Sequence, residues 1–326
     1  MTGIIVGDVG GTNTRLGFLA GPHAPLAKIA HLQNAHFSRF DKCLQHYLDQ
    51  IYEQGCSQII LAVAAPIDGD VVNLTNCDWQ IDCARLRQSI GAKTVHLLND
   101  LEALALALDR LPGTSLTHVT GPVAPHDSMA RKLVIGAGTG FNAASLLQQP
   151  LQIVLAAECG HMTLPVQTAA DLRLRDHLAR GRGRVSVERA LSGQGLCEVY
   201  HWVADERGVR PDALTAAQIS SRAVQGTDPD CVKAAHIVLR LLAVVAGDLA
   251  LATLPHGGIY LAGSVCRALF PLMAQADFAD HFAAKGRQAG LMRSFPIHLI
   301  TDDTAALIGC AALISRQSRT PAKAAE

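Results

Sequence analysis

Asp8 lies inside a glycine turn, Ile4-Ile5-Val6-Gly7-Asp8-Val9-Gly10-Gly11-Thr12-Asn13-Thr14-Arg15, and a turn of like design follows at Ile135-Gly136-Ala137-Gly138-Thr139-Gly140-Phe141. Glycine lets backbone N–H groups approach an anion with no Cβ in the way, and a threonine hydroxyl adds a donor, so each turn suits phosphate. Two such turns facing each other would grip a polyphosphate from both sides. A carboxylate in the first turn would repel that phosphate unless a magnesium ion stood between them. Mg²⁺ keeps several waters and takes one or two carboxylates with phosphate oxygens, which makes Asp8 a metal-site candidate acting through water. Asn13 and Thr14 are placed to donate, and Arg15 can face phosphate or another carboxylate.

Three further groups carry usable chemistry. Asn99-Asp100 ends an apolar run and opens a helical one, the position where ligands of open α/β sheets collect; either residue can equally cap the helix. Glu158 and His161 are spaced to hydrogen-bond adjacent hydroxyls of a sugar ring, or to serve a surface loop. Glu188, beside Arg189, can hold a ligand or complement a helix dipole from the first turn. Other chemistries fail on spacing. No Gly-Lys pair occurs, so there is no G-x-x-x-x-G-K-[ST] phosphate loop, and H-E-x-x-H is absent. A dinucleotide fingerprint from Gly136 would need a small residue where Phe141 stands.

The elements that must hold these residues alternate between strand and helix, which predicts α/β sheets. Each glycine turn reads as strand, turn, strand. Helical spacing covers Ser38–Gln54, a continuous apolar strand Gln58–Ala64, a helix Ile81–Ile90, a strand Thr94–Leu98 and a helix Leu101–Leu111. The turn formers from Pro112 to Pro125 predict a boundary, and the chain beyond repeats the logic of the first part, an internal duplication. A helix is expected from Val187 with Ser186 as its cap, and a last one after Thr301-Asp302-Asp303-Thr304. Residues Arg316–Glu326 read as a frayed tail.

Composition bounds the function. At 326 residues the chain can bury two cores, and 49% hydrophobic against 17% charged residues describes a globular protein. The 28 basic and 28 acidic residues cancel without a dense cationic cluster, so no nucleic-acid partner is expected. Nine scattered cysteines with no C-x-x-C read as reduced thiols of a cytoplasmic protein, and no signal peptide is expected at the N-terminus. The apolar stretch Ile237–Leu254 contains Arg240 and Asp248 and is expected to be a core helix, with no membrane partner.

Taken in order, Asp8-Val9-Gly10-Gly11-Thr12-Asn13, Leu98-Asn99-Asp100, Gly136-Ala137-Gly138-Thr139-Gly140, Glu158-Cys159-Gly160-His161, Glu188-Arg189-Ala190-Leu191-Ser192-Gly193 and Gly257-Gly258-Ile259-Tyr260-Leu261-Ala262-Gly263 resemble the bacterial ATP-dependent glucokinase family over nearly the whole chain. The resemblance implies two ribonuclease-H-like domains of the actin and hexokinase type with the active site in a cleft between them, here residues 1–111 with 302–326 as the smaller and 112–301 as the larger. It implies that Asp100 is the catalytic base toward the 6-hydroxyl of glucose. It further implies that Asn99, Asp100, Glu158, His161 and Glu188 bind the sugar. The implied ATP and phosphate contacts are Asp8, Gly10, Gly11, Thr12, Asn13, Gly138, Thr139, Gly140 and Gly263, with Mg²⁺ on Asp8 and a homodimer as the assembly.

The chain departs from the family pattern at Phe141-Asn142, where Leu-Gly is usual, and at Cys159 and Ser264, where glycine is usual. These departures keep open a kinase for another or modified hexose, and a catalytically weak sugar-binding regulatory protein. A sugar-responsive repressor would carry a DNA-binding helix pair ahead of the first turn, where seven residues precede Asp8, and a dead kinase would have lost Asp100 or a turn. Glucose phosphorylation is therefore the leading expectation.

Overall fold

The computed structural model describes residues 3–51, 56–74, 77–181 and 183–317; the expected tail lies, from residue 318 on, outside them. The first elements are β1 (Ile4–Val9), β2 (Asn13–Leu19), β3 (Ala27–Gln33), α1 (Phe40–Gln50), β4 (Gln58–Val63), β5 (Val71–Asn73), β6 (Gln80–Asp82), α2 (Cys83–Ile90), β7 (Thr94–Asn99), α3 (Asp100–Ala107) and β8 (Leu116–Thr120). There follow β9 (Lys132–Ala137), β10 (Phe141–Leu147), β11 (Ile153–Ala156), α4 (Ala169–Ala179), α5 (Gly193–Glu206), α6 (Ala216–Gln225) and α7 (Pro229–Thr253). The last are β12 (Ile259–Ala262), α8 (Ser264–Leu269), α9 (Phe278–Ala283), α10 (Ala289–Met292), β13 (Ile297–Ile300) and α11 (Ala305–Gln317). Two compact units result, residues 1–113 with 302–326 and residues 114–301.

The first unit is a sheet in the order β3-β2-β1-β4-β7, with β1, β4 and β7 parallel and β2 and β3 antiparallel. Its central strands are apolar on both faces because both are covered. Alternate side chains Ile5, Val9, Ile59, Leu61 and Val63 join Phe40, Leu44, Tyr47 and Leu48 of α1, while Ile4, Val6, Ile60 and Ala62 join Ala103, Leu307, Cys310 and Ile314 of α3 and α11. The second unit orders its sheet β11-β10-β9-β12-β13-β8, with β9, β12 and β13 parallel and β8, β10 and β11 antiparallel. The two sheets share one plan, a glycine-turned hairpin and a third antiparallel strand beside parallel strands, which is the duplication expected from the two turns.

Helix α7 starts ahead of the expected apolar stretch because Pro229 takes its first turn and Asp228 accepts from the amides of Asp230 and Cys231. It is long and apolar enough to cross a membrane, with a mean hydropathy of 1.9 over its best window, yet 72% of that window is buried within the protein. Val238, Leu239, Leu242 and Val245 lie in the core of the second unit, as expected of a core helix.

Three expectations are corrected. Strand β3 was not foreseen because it is an edge strand, exposed or half-buried throughout. Strand β8 lies inside the expected linker and closes the second sheet against β13. No long helix begins at Val187: a single 3-10 turn spans Val187–Arg189, Ser186 makes no side-chain cap bond, and α5 starts at Gly193 with Ser192 accepting from the Gly195 amide.

All nine cysteines are free thiols, six of them buried. Burial pushes the Cys266 thiol up to about 12, and the same cause raises Cys43 and Cys56 to about 12, so these groups behave as small apolar residues.

Helices α3 and α11 meet where Gly309 faces the Ala103 carbonyl so closely that a Cβ would overlap the oxygen. Gly309→Ala should therefore force the helices apart and destabilise the protein by about 3 kcal/mol, read as a lower urea midpoint with unchanged m.

Candidate functional site

In each unit the residues singled out from the sequence gather around the ends of the central strands. In the first, β1 and β2 are joined by Gly10–Thr12, closed by the Gly10 amide donating to the Asn13 carbonyl at 3.0 Å. Strand register sets Asp8 opposite Arg15, and Arg15 Nη1 donates to Asp8 Oδ2 at 3.2 Å. The other arm of the guanidinium, Nη2, reaches Asp303 Oδ2 at 3.4 Å, at the entry to α11. Arg15 thus faces carboxylates, and Asp303, which the sequence suggested only as part of a helix cap, joins Asp8 in holding it. Its neighbour Asp302 does that capping, accepting from the Thr304 amide and hydroxyl.

The first turn is braced from beneath by Asn34, which no motif marks. Asn34 Nδ2 donates to the Gly10 carbonyl at 2.8 Å and its amide donates to the Thr12 carbonyl at 2.9 Å. The Thr14 hydroxyl, fully buried, donates to Asn34 Oδ1 at 2.8 Å. Thr14 therefore serves the brace and not a ligand, which corrects the expectation that it donates outward. Thr12 and Asn13 are exposed along the turn, and Gly11 is half-buried.

Strand β7 delivers Asn99 and Asp100 two strands away from β1 in the same sheet. Asn99 caps α3: its Oδ1 accepts from the Leu101 amide at 3.0 Å, and Glu102 Oε2 accepts from the Asn99 amide at 3.0 Å, a capping box. Its Nδ2 donates to the Ala65 carbonyl at 3.3 Å. Asp100, the first residue of α3, accepts from the Leu101 amide at 2.9 Å and is half-buried. Capping thus fixes both side chains at a helix N-terminus, where negative charge is favoured.

In the second unit, β9 and β10 are joined by Gly138–Gly140, closed by the Gly138 amide donating to the Gly140 carbonyl at 2.9 Å. Glu188 stands against this turn, and its Oε2 accepts from the Phe141 amide at 2.9 Å. A Cβ on Gly140 would come within 2.6 Å of that oxygen. With Gly138 and Phe141 so engaged, the remaining N–H groups of the turn are those of Thr139 and Gly140. Gly263 has φ of +96°, and a Cβ there would overlap the Ala137 carbonyl, so the β12 to α8 corner must be glycine.

Glu158 precedes, and His161 ends, a 3-10 turn at Cys159–His161 that packs on β10; both side chains are exposed. Asn142 holds this loop, its Oδ1 accepting from the Cys159 amide at 2.8 Å. The Val187 amide donates to the Met162 carbonyl at 2.8 Å and Thr163 bridges Ser186, which brings the Glu158–His161 loop beside Glu188. Phe141 does not crowd this space, because its ring is 3% exposed within the core. Cys159 is half-buried, and burial with the charge of Glu158 raises its thiol. Among the described residues no cluster of three or more His, Cys, Asp or Glu side chains is arranged to hold a metal.

The family model described as Glucokinase matches residues 5–317. The glucokinase of Brucella suis biovar 1 is 34% identical over 98% of this chain and 92% of its own length. Among solved structures, the glucokinase of an Antarctic psychrotroph superposes with a TM-score of 0.82 at 29% identity, covering 97% of this chain and 99% of that one. A Balamuthia mandrillaris glucokinase solved in complex with glucose shares the fold, with a TM-score of 0.81 at 22% identity over 97% of this chain and 94% of its own.

The brace beneath the first turn can be tested without any ligand. Thr14→Val keeps shape but leaves Asn34 Oδ1 buried without its donor, and should cost about 1–3 kcal/mol of unfolding free energy in urea. An unchanged midpoint would remove the brace from the account.

Proposed function

The chain belongs to the glucokinase family, and we propose from that membership and from the glycine turns and carboxylates of its two units that it transfers the γ-phosphoryl group of ATP to the 6-hydroxyl of glucose, giving glucose 6-phosphate and ADP. The observation that carries this reading is the family match over residues 5–317, which takes in both glycine turns and every carboxylate described above. The two units then correspond to ribonuclease-H-like domains of the actin and hexokinase type.

Phosphoryl transfer asks the protein mainly to position groups and to stabilise charge. Asp100 accepts the proton of the 6-hydroxyl as that oxygen bonds to the γ-phosphorus; the bond from phosphorus to the β,γ-bridging oxygen breaks and ADP leaves. Asn99, Glu158, His161 and Glu188 hold the remaining hydroxyls. Glu188 can do this while braced, since a carboxylate accepts at several lone pairs. The amides of Gly11, Thr12, Thr139 and Gly140 face the phosphates, with Gly10, Asn13 and Gly138 shaping the turns. Gly263 lets the backbone approach adenosine. Closure over the sugar excludes water, which would otherwise compete as acceptor.

The residues fit a magnesium ion on the phosphates. Mg²⁺ needs few protein ligands, and Asp8, oriented by Arg15, would accept from metal-bound water. Bound there, the ion would neutralise charge on the phosphates. The protein acts in the cytoplasm as a homodimer, without nucleic-acid or membrane partners.

Asp100→Asn preserves shape and removes the proton acceptor, so kcat should fall by about 10²–10⁴ with little change in sugar affinity. Glu158→Gln or His161→Ala should instead raise the KM for sugar by about 10–100-fold, the loss of a charge-assisted hydrogen bond. Both are read by ADP release with Mg·ATP across glucose, mannose, fructose, glucosamine, N-acetylglucosamine and N-acetylmannosamine. Near-wild-type turnover in Asp100→Asn would sink the mechanism; activity confined to a sugar other than glucose would reassign the substrate.

A further inference from the structure

An open pocket of about 620 Å³ lies in the second unit, between the N-terminal half of α7 and the segment that leads into α9. Lys233, His236 and Arg240 line one wall and Gln275, Asp277 and His281 the other. No residue of the phosphate turns or the sugar loop is among them. Its polar lining is biased toward donors: an ammonium, a guanidinium and two imidazoles against a single carboxylate. The Nε2 atom of His236 is buried without a hydrogen-bond partner. Asp277 holds a left-handed backbone conformation, φ +49°, at the head of α9 and makes no side-chain cap there. A non-glycine residue in that conformation and an unmet imidazole nitrogen are both features that recur at ligand sites.

Arg240 ties this pocket to the sugar loop. Its two terminal nitrogens donate to the two oxygens of Asp171, a carboxylate 2% exposed. Burial alone would raise the Asp171 carboxyl, but Arg240 and the Gln167 amide more than offset that and hold it below the usual carboxylate range. Asp171 Oδ2 accepts from the amides of Gln167 and Thr168 at 3.1 and 3.0 Å and so fixes the start of α4. From there the chain runs back as a strap, Leu164 donating to the Val185 carbonyl and Thr163 bridging Ser186, to His161 on one arm and Glu188 on the other. A guanidinium has five N–H donors, and Asp171 takes two of them.

We propose that this pocket is an effector site for a small phosphate monoester bearing hydroxyl groups. Lys233, His236, His281 and the remaining N–H groups of Arg240 hold the phosphate, while Asp277 and Gln275 accept from the hydroxyls. A dianion there competes with Asp171 for the guanidinium, loosens the start of α4 and, through the strap, weakens the hold on sugar. The binding half of this inference stands on the pocket alone; its readout at the sugar loop rests on the function proposed above.

The test uses the full-length protein with glycerol 3-phosphate and inorganic phosphate as probes, against chloride at matched ionic strength. Calorimetry should show a site for glycerol 3-phosphate that Lys233→Ala/His281→Ala weakens by about 10-fold or more, the loss of charge-assisted hydrogen bonds. In the wild type, saturating probe should raise the KM for glucose several-fold with kcat nearly unchanged, and this shift should vanish in the double variant, whose basal kinetics stay normal. Equal affinity in wild type and variant would overturn the site. Intact pocket binding with no change in glucose KM, in an enzyme that phosphorylates glucose, would overturn the coupling. An inactive wild type that still loses binding in the variant would sink the catalytic reading and leave the site standing.

Discussion

The close fit of the Glu188 carboxylate against the Gly138–Gly140 turn is the contact on which the arrangement of loops in the second unit depends. It sets three residues at once. Gly140 must lack a side chain to admit the carboxylate, and Gly160 must lack one because a Cβ there would overlap the Phe141 carbonyl. Phe141, held by its amide at Glu188, belongs to the core, so its bulk is not presented at the surface. The turn, the Glu158–His161 loop and the 3-10 turn bearing Glu188 therefore form one packed unit, and a change in any of the three is felt by the others.

The legible parts of the chain were those whose signal is local. Apolar runs ending in glycine turns marked β1, β2, β9 and β10, because central strands covered on both faces must be apolar and the turns between them must be small. The strand ending at Asn99 and the helix beginning at Asp100 were readable for the same reason. Strand β3, Ala27–Gln33, was not, since an edge strand open to solvent carries no apolar run, and β8 was hidden by the turn formers on either side of it. The first turn of a helix looks alike whether or not the helix continues, which is why Val187–Arg189 read as the start of α5.

The site residues that escaped the sequence are those defined by distance along the chain. Asn34 braces a turn 24 residues before it, and Asp303 meets Arg15 across 288 residues. Neither has a spacing to recognise, because the sheet and α11 bring them in only after folding. Asn142 is a different case. It was visible as a departure from the family pattern, but only the structure shows that its side chain takes up the amide of Cys159, the next departure in sequence. The two belong together: an amide side chain on β10 supplies the acceptor that fixes the loop where the glycine is missing.

The shared plan of the two sheets makes their differences informative. Register places Gly136 opposite Asn142 in the second hairpin, where the first has Asp8 opposite Arg15. One scaffold position thus carries an ion pair in one unit and a neutral residue with a hydrogen-bonding amide in the other. An ion pair beside a turn supplies a fixed charge that a phosphate or its counter-ion must answer. A neutral amide imposes no such charge and is free to position a neighbouring loop. That single difference of pair types at the end of a duplicated hairpin leaves charge beside the first turn and a loop-fixing amide beside the second.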